Sequence, residues 1–104
     1  MAQFVHVGVP VKSPQAGETY VEPLKVHITN PDAHPLKFEY LRFEAESPIP
    51  EAVQTKVHVA YRVDDLDAAL EGQKVIFPAF QAGPNMRIAF ILKDGVPVEM
   101  MEVR

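Results

Sequence analysis

The 104-residue chain contains no cysteine, which excludes disulfides, thiolate metal sites and a cysteine nucleophile. It has no run of basic residues either: its formal charge is −4, so it lacks the positive footprint that phosphate backbones require, and nucleic acid is not an expected partner. No apolar run approaches the roughly 20 residues of a membrane span. The N-terminus lacks a charged region followed by an apolar one, so the expectation is a soluble cytoplasmic protein. What is plentiful is hydrophobic residues, at 47%, enough for one core in a single domain spanning residues 1–104.

The most legible stretch is residues 56 to 66, Lys-Val-His-Val-Ala-Tyr-Arg-Val-Asp-Asp-Leu. From Val57 to Val63 the side chains alternate, with Val57, Val59, Tyr61 and Val63 on an apolar face opposite His58, Ala60 and Arg62, which predicts a strand with the valine face in a core. Asp64 and Asp65 then favour a helix N-cap. Leu66, Ala69 and Leu70 recur at helical spacing until Gly72 can serve as the C′ residue.

A second copy of this design lies near the N-terminus. Phe4-Val5-His6-Val7-Gly8-Val9 parallels Lys56-Val57-His58-Val59-Ala60-Tyr61, with a histidine flanked by valines and a very small residue two positions later. Downstream of each copy a carboxylate sits in an otherwise apolar strand: Glu39 in Leu36-Lys37-Phe38-Glu39-Tyr40-Leu41, and Glu99 in Val96-Pro97-Val98-Glu99-Met100-Met101. A strand histidine alone is usually a satisfied residue, and a strand glutamate usually points to water. Two His-Glu pairs at repeated positions are harder to explain as accidents. Two neutral imidazoles and two carboxylates also balance one divalent cation and leave coordination positions open, so His6, Glu39, His58 and Glu99 are the candidate metal ligands.

The paired frame, above all the run from His58 to Leu70 followed by Pro97-Val-Glu-Met-Met-Glu, resembles the vicinal oxygen chelate superfamily, which includes glyoxalase I, bleomycin-resistance and extradiol-dioxygenase proteins. The match is good over residues 56 to 104 and looser over 1 to 45. The resemblance implies an α+β fold of two βαβββ-like modules, 1–47 and 54–104, forming one curved mixed sheet. It places each module's first strand beside its last, with the four candidate ligands facing one another inside the cup, and it implies a homodimer.

Within that cup, alternation puts Gly8 and Ala60 on the histidine face, where small side chains would leave room for a substrate. Leu41, Phe43 and Met101 share faces with Glu39 and Glu99 and would make the wall apolar, although ordinary core is the plainer reading. Arg62 could hold a substrate carboxylate or phosphate at the cavity mouth, although an exposed strand-end arginine is the plainer reading. His27 and His34 have no identifiable partner, and Glu44, Glu46, Glu51 and Glu102 read as a solvated acidic surface.

In chain order, residues 3 to 10 read as a strand ended by Pro10, and residues 11 to 22 show no helical period. From His6 to Glu39 is 33 positions and from His58 to Glu99 is 41; the difference of eight is about the length of the Asp64–Glu71 segment, so the N-terminal module lacks most of its helix. Leu24 to Thr29 and Leu36 to Glu44 are strands about an Asn30-Pro31-Asp32 turn. Ser47-Pro48-Ile49-Pro50 is a stiff linker. Lys74 to Phe77 is a strand, Pro78 to Asn85 a loop, and Met86–Lys93 and Val96–Val103 form a hairpin about Asp94-Gly95. One helix of about eight to ten residues is expected, and ten prolines read as punctuation between elements.

Three functions fit. The first is a metal-dependent lyase or isomerase acting on a small carbonyl substrate, with the metal (Zn, Ni, Co, Mn or Fe) stabilising an enediolate and Glu99 or Glu39 as catalytic base. The second is a non-haem iron dioxygenase using His6, His58 and Glu99 as a facial triad. The third is a metal-free binding protein of the antibiotic-sequestering kind.

Overall fold

The computed structural model describes residues 2–104. The N-terminal module contains β1 (Gln3–Pro10), β2 (Thr19–Val21), β3 (Val26–Ile28) and β4 (Phe38–Phe43). A short helix, α1 (Glu51–Thr55), leads into the C-terminal module: β5 (His58–Arg62), α2 (Leu66–Leu70), β6 (Lys74–Gly83), β7 (Met86–Lys93) and β8 (Val96–Val103). All eight strands join one curled mixed sheet in the order β2-β3-β4-β1-β5-β8-β7-β6.

The two modules are built alike. In each, the first strand runs parallel to the last, β1 with β4 and β5 with β8, and the remaining strands extend outward as antiparallel neighbours. The antiparallel pairing of β1 with β5 joins them, so the two His-bearing strands lie side by side in the middle of the sheet.

Each face of the sheet has its own core. On the concave face Ile49 and Val53 pack with Ile88 and Phe90; on the other, Val63 and Leu66 pack with Ala89. Asp65 caps α2 by accepting from the Ala68 amide at 3.1 Å, and Gly72, with φ at +73°, lets the chain turn away beyond it. Asp94 and Gly95 both have positive φ, as a tight hairpin connection requires.

Several expectations are corrected. The Ser47–Pro50 linker runs into a helix, α1, that carries Val53 into the concave core, and α2 is five residues long, not eight to ten. Residues 11 to 22 contain β2, and the strands expected at 24–29 and 36–44 shorten to Val26–Ile28 and Phe38–Phe43. The loop expected from Pro78 is strand: β6 continues to Gly83, because a sheet edge tolerates a residue without an N–H and the register shifts on either side of Phe77 absorb the misfit. Around β5 both faces are covered: Val63 packs in the outer core as expected, Val57 just before the strand is exposed, and His58 and Ala60 on the concave face are wholly buried. Among the described residues no helix is long and apolar enough to cross a membrane.

Glu102 is the largest correction: it is 4% exposed, not part of a solvated surface. One carboxylate oxygen accepts from the Leu66 amide at 2.9 Å, at the start of α2, and the other accepts from Arg87 at 3.2 Å and Arg104 at 3.0 Å. The backbone donor comes first, and with the two guanidinium groups it holds the Glu102 carboxyl down to about 2. A carboxyl lowered in the folded state contributes stability above its unfolded pKa that is lost as pH falls through the folded value. Glu102→Ala is therefore expected to lower the melting temperature by several degrees at pH 7, and by much less at pH 2. An unchanged melting temperature at pH 7 would refute this anchoring role.

Candidate metal centre

Strand register assembles the site in two rows across the sheet. In one row Gly8 of β1 stands between Glu39 of β4 and His58 of β5; in the other Ala60 of β5 stands between His6 of β1 and Glu99 of β8. Each row therefore runs carboxylate, small residue, imidazole. The small residue lets the flanking side chains lean together over it. A β-carbon on Gly8 would fall within the His58 ring, against Cε1, Nε2 and Nδ1, so the space beside the histidines belongs to the opposing imidazole and not to a substrate.

All four side chains converge. One candidate ligand atom from each of His6, Glu39, His58 and Glu99 lies within 4.8 Å of the others. His58 Nε2 is 3.1 Å from Glu99 Oε1, and His6 Nε2 is 3.4 Å from both Glu99 Oε1 and Glu39 Oε1. Ligands about 2.1 Å from a common ion lie roughly 3 to 4.2 Å apart, so a small contraction would fit a divalent cation. His6 Nε2 is buried and, despite its proximity to both carboxylates, has hydrogen-bond geometry to neither. An unsatisfied nitrogen aimed between two carboxylates is the expected state of a ligand set, and these residues could hold a metal ion.

The His58 ring is positioned mainly by packing. Its Nδ1 has no partner, while Gly8 lies against one side and Phe90 meets the ring edge-on at 5.4 Å. The two imidazoles are 5.7 Å apart in a T-shaped arrangement.

The carboxylates differ in charge state. Burial pushes the Glu39 carboxyl up to about 7, the attraction of His6 offsetting part of this and the Glu99 charge adding to it. Burial also acts to raise Glu99, but the hydrogen bond with His58 and the close approach of His6 overcome it and bring it to about 2. Burial opposes charging of His6, yet Glu99 and Glu39 raise its pKa on balance.

The site opens on a cavity of about 180 Å³ lined by His6, Glu39 and Glu99 and by Leu41, Phe43 and Met101. Arg62 is exposed at the end of β5, does not line this cavity, and is not brought to the cluster. His27 and His34 do have partners: His27 Nε2 lies 3.0 Å from Glu44, and His34 accepts from the Leu36 amide at 3.0 Å and stacks on Phe38. Sequence reasoning missed Ile49 and Val53, which form part of the cavity wall. Their four-residue spacing in the proline-flanked linker is the signal that one apolar side of α1 faces inward.

No model of a known protein family matches the sequence, and no curated protein sequence matches it. Solved structures similar to it include the following two. The hypothetical protein BH1468 from Bacillus halodurans C-125 matches with a TM-score of 0.72 and 20% identity, over 99% of this chain and 95% of that one. Methylmalonyl-CoA epimerase from Mycobacterium tuberculosis matches with a TM-score of 0.65 and 20% identity, over 97% of this chain and 87% of that one. At this identity the likeness shows the fold, and the fold is glyoxalase-like: a curved mixed half-barrel sheet with two short helices.

Two outcomes follow from this geometry. A carboxyl raised in the folded state, as Glu39 is, contributes stability that is complete below its unfolded value near 4.5 and lost as pH rises through about 7. In metal-free protein this loss is on the order of 3 kcal/mol. Glu39→Gln should therefore raise the melting temperature at pH 8 and change it little at pH 5; parallel pH profiles for variant and wild type would contradict the assignment. Gly8→Ala should displace His58 and weaken metal binding although every ligand remains, which isothermal titration with Zn or Ni would show as at least a tenfold loss.

Proposed function

We infer that the protein is a metal-dependent isomerase or lyase of the vicinal oxygen chelate kind, acting on a small carbonyl compound by moving a proton next to the carbonyl. The observation that carries this reading is the burial of two histidines and two carboxylates within 4.8 Å of one another, three of which, His6, Glu39 and Glu99, form the floor of an apolar cavity. Methylmalonyl-CoA epimerase, an epimerase on the same fold, supports the reaction class.

His6, His58 and Glu99 would hold the ion, with Glu39 nearby as a fourth ligand or as the base. When bound, a divalent cation supplies Lewis acidity that lowers the pKa of a C–H beside a carbonyl and stabilises the enediolate formed. The two carboxylates divide the remaining work. Glu99 lies within 3.4 Å of both imidazoles and suits a fixed ligand, whereas Glu39 borders the cavity with a single imidazole at 3.4 Å and suits the base. Proton abstraction by Glu39 and its return to the same or the adjacent carbon balances as an isomerisation.

A second reading has one observation in its favour. Glu99 Oε1 lies within 3.4 Å of both histidines, so His6, His58 and Glu99 also form a two-histidine, one-carboxylate set of the kind that holds non-haem iron. Elemental analysis of protein purified without added metal separates the two, iron favouring the dioxygenase and Zn, Ni, Co or Mn the isomerase.

Metal should stabilise the wild type by roughly 3 kcal/mol at a free concentration about 100 times Kd. His58→Ala should lose most of that gain, and Glu46→Gln, at an exposed position away from the cluster, should keep it. If no divalent metal shifts the melting temperature, a metal-free binding protein replaces the enzyme reading. Catalysis is tested by NMR in D2O: the wild type should exchange the C–H of a small α-hydroxyketone, and Glu39→Gln should slow that exchange at least 100-fold while still binding metal.

A further inference from the structure

The cavity above the cluster is uniform in chemistry. Apart from His6, Glu39 and Glu99 at its floor, every lining side chain is a hydrocarbon, an aromatic ring or a thioether; among the described residues, no lysine, arginine, hydroxyl or amide reaches it. Leu24, Ile28, Leu41, Phe43, Ile88 and Met101 supply walls from both modules, and Ile49 and Val53 bring the linker against them.

Two physical limits follow. At about 180 Å³ the cavity slightly exceeds the roughly 150 Å³ that accommodates one benzene ring, so the enclosed part of a ligand is about one ring with its substituents. The second limit is charge. One divalent cation against two carboxylates leaves the floor near neutral, so a further anionic group would be desolvated among hydrocarbons with no cation to meet it, at a cost of several kcal/mol.

Resting on the metal-dependent reading above, we propose that the site selects a small molecule whose body is uncharged and hydrophobic, one aromatic ring or a branched aliphatic group. The polar end that meets the metal is the one the reading above already requires, and the body adds no polar or charged group to it. A carboxylate or phosphate placed inside the cavity is excluded by the same wall. Specificity then comes from hydrocarbon fit above the floor, while the oxygens serve the chemistry.

Three hydroxamates share one two-oxygen head and differ only in body, so they test this on the metal-loaded wild type by isothermal titration. Benzohydroxamate should bind at least tenfold more tightly than acetohydroxamate, because its ring is buried. The monohydroxamate of succinic acid, with a carboxylate on its body, should bind no more tightly than acetohydroxamate. Leu24→Arg, which places a cation in the wall, should reverse the order of the phenyl and carboxylate probes; if that variant does not fold, the wild-type series decides alone. A succinyl probe that outbinds acetohydroxamate, or a phenyl probe with no advantage, overturns the proposal while leaving the metal site intact. Failure of the underlying reading shows separately, as no metal-induced stabilisation before any probe is added, and it removes the proposal with it.

Discussion

The structure depends on two rows of side chains that cross the central strand pair. Glu39, Gly8 and His58 form one, and Glu99, Ala60 and His6 the other. In each, a residue with little or no side chain lies between a carboxylate and an imidazole, and this lets four polar groups meet over two strands. A larger residue at Gly8 would occupy the place of the His58 ring, so backbone spacing and site chemistry are fixed by the same choice. Buried carboxylates are costly unless paired, and the imidazoles provide that pairing unevenly. Glu99 lies within 3.4 Å of both imidazoles and Glu39 of one, so two chemically identical groups differ in charge state: burial leaves Glu39 raised, while the imidazoles hold Glu99 low.

The layers around this cluster follow from its position. The concave face must be closed by something apolar, and the linker does so with Ile49 and Val53; the other face is covered by α2, anchored through Glu102. The C-terminal module thus has a helix over its outer face that the N-terminal module lacks. Between β1 and β4 the N-terminal chain is occupied by two short strands and two single 3-10 turns.

The repeat of His and small residue, with a carboxylate downstream, was legible because it occurs twice and strands have a strict two-residue period. The Asp94-Gly95 hairpin was legible because its backbone demands those residues. α2 was legible from its cap and the spacing of Leu66, Ala69 and Leu70, although drawn too long; α1 was not, because five residues define no clear apolar period, and three-residue β2 carries too little pattern to separate it from a loop. Pro78 read as a stop because a proline inside a central strand would be one; only the strand order shows that β6 is an edge. Glu102, out of phase with Glu99, read as solvent-facing, because nothing in its own strand reveals that a helix N-terminus and two arginines lie over it. The small residues were found in sequence but given the wrong occupant, since alternation says which residues share a face and not which rings cross the seam.

That seam has a further meaning. Each module contributes one histidine and one glutamate, and β1 against β5 is the strand pairing through which the two modules meet. Neither half holds a usable ligand set by itself. Four groups far apart in sequence, from residue 6 to residue 99, become neighbours only when the halves have docked in register, and a one-residue slip of β5 would turn His58 to the opposite face. The cluster is thus an internal gauge of correct assembly: the four groups converge only when the fold is complete, and a misregistered or half-docked chain leaves them apart.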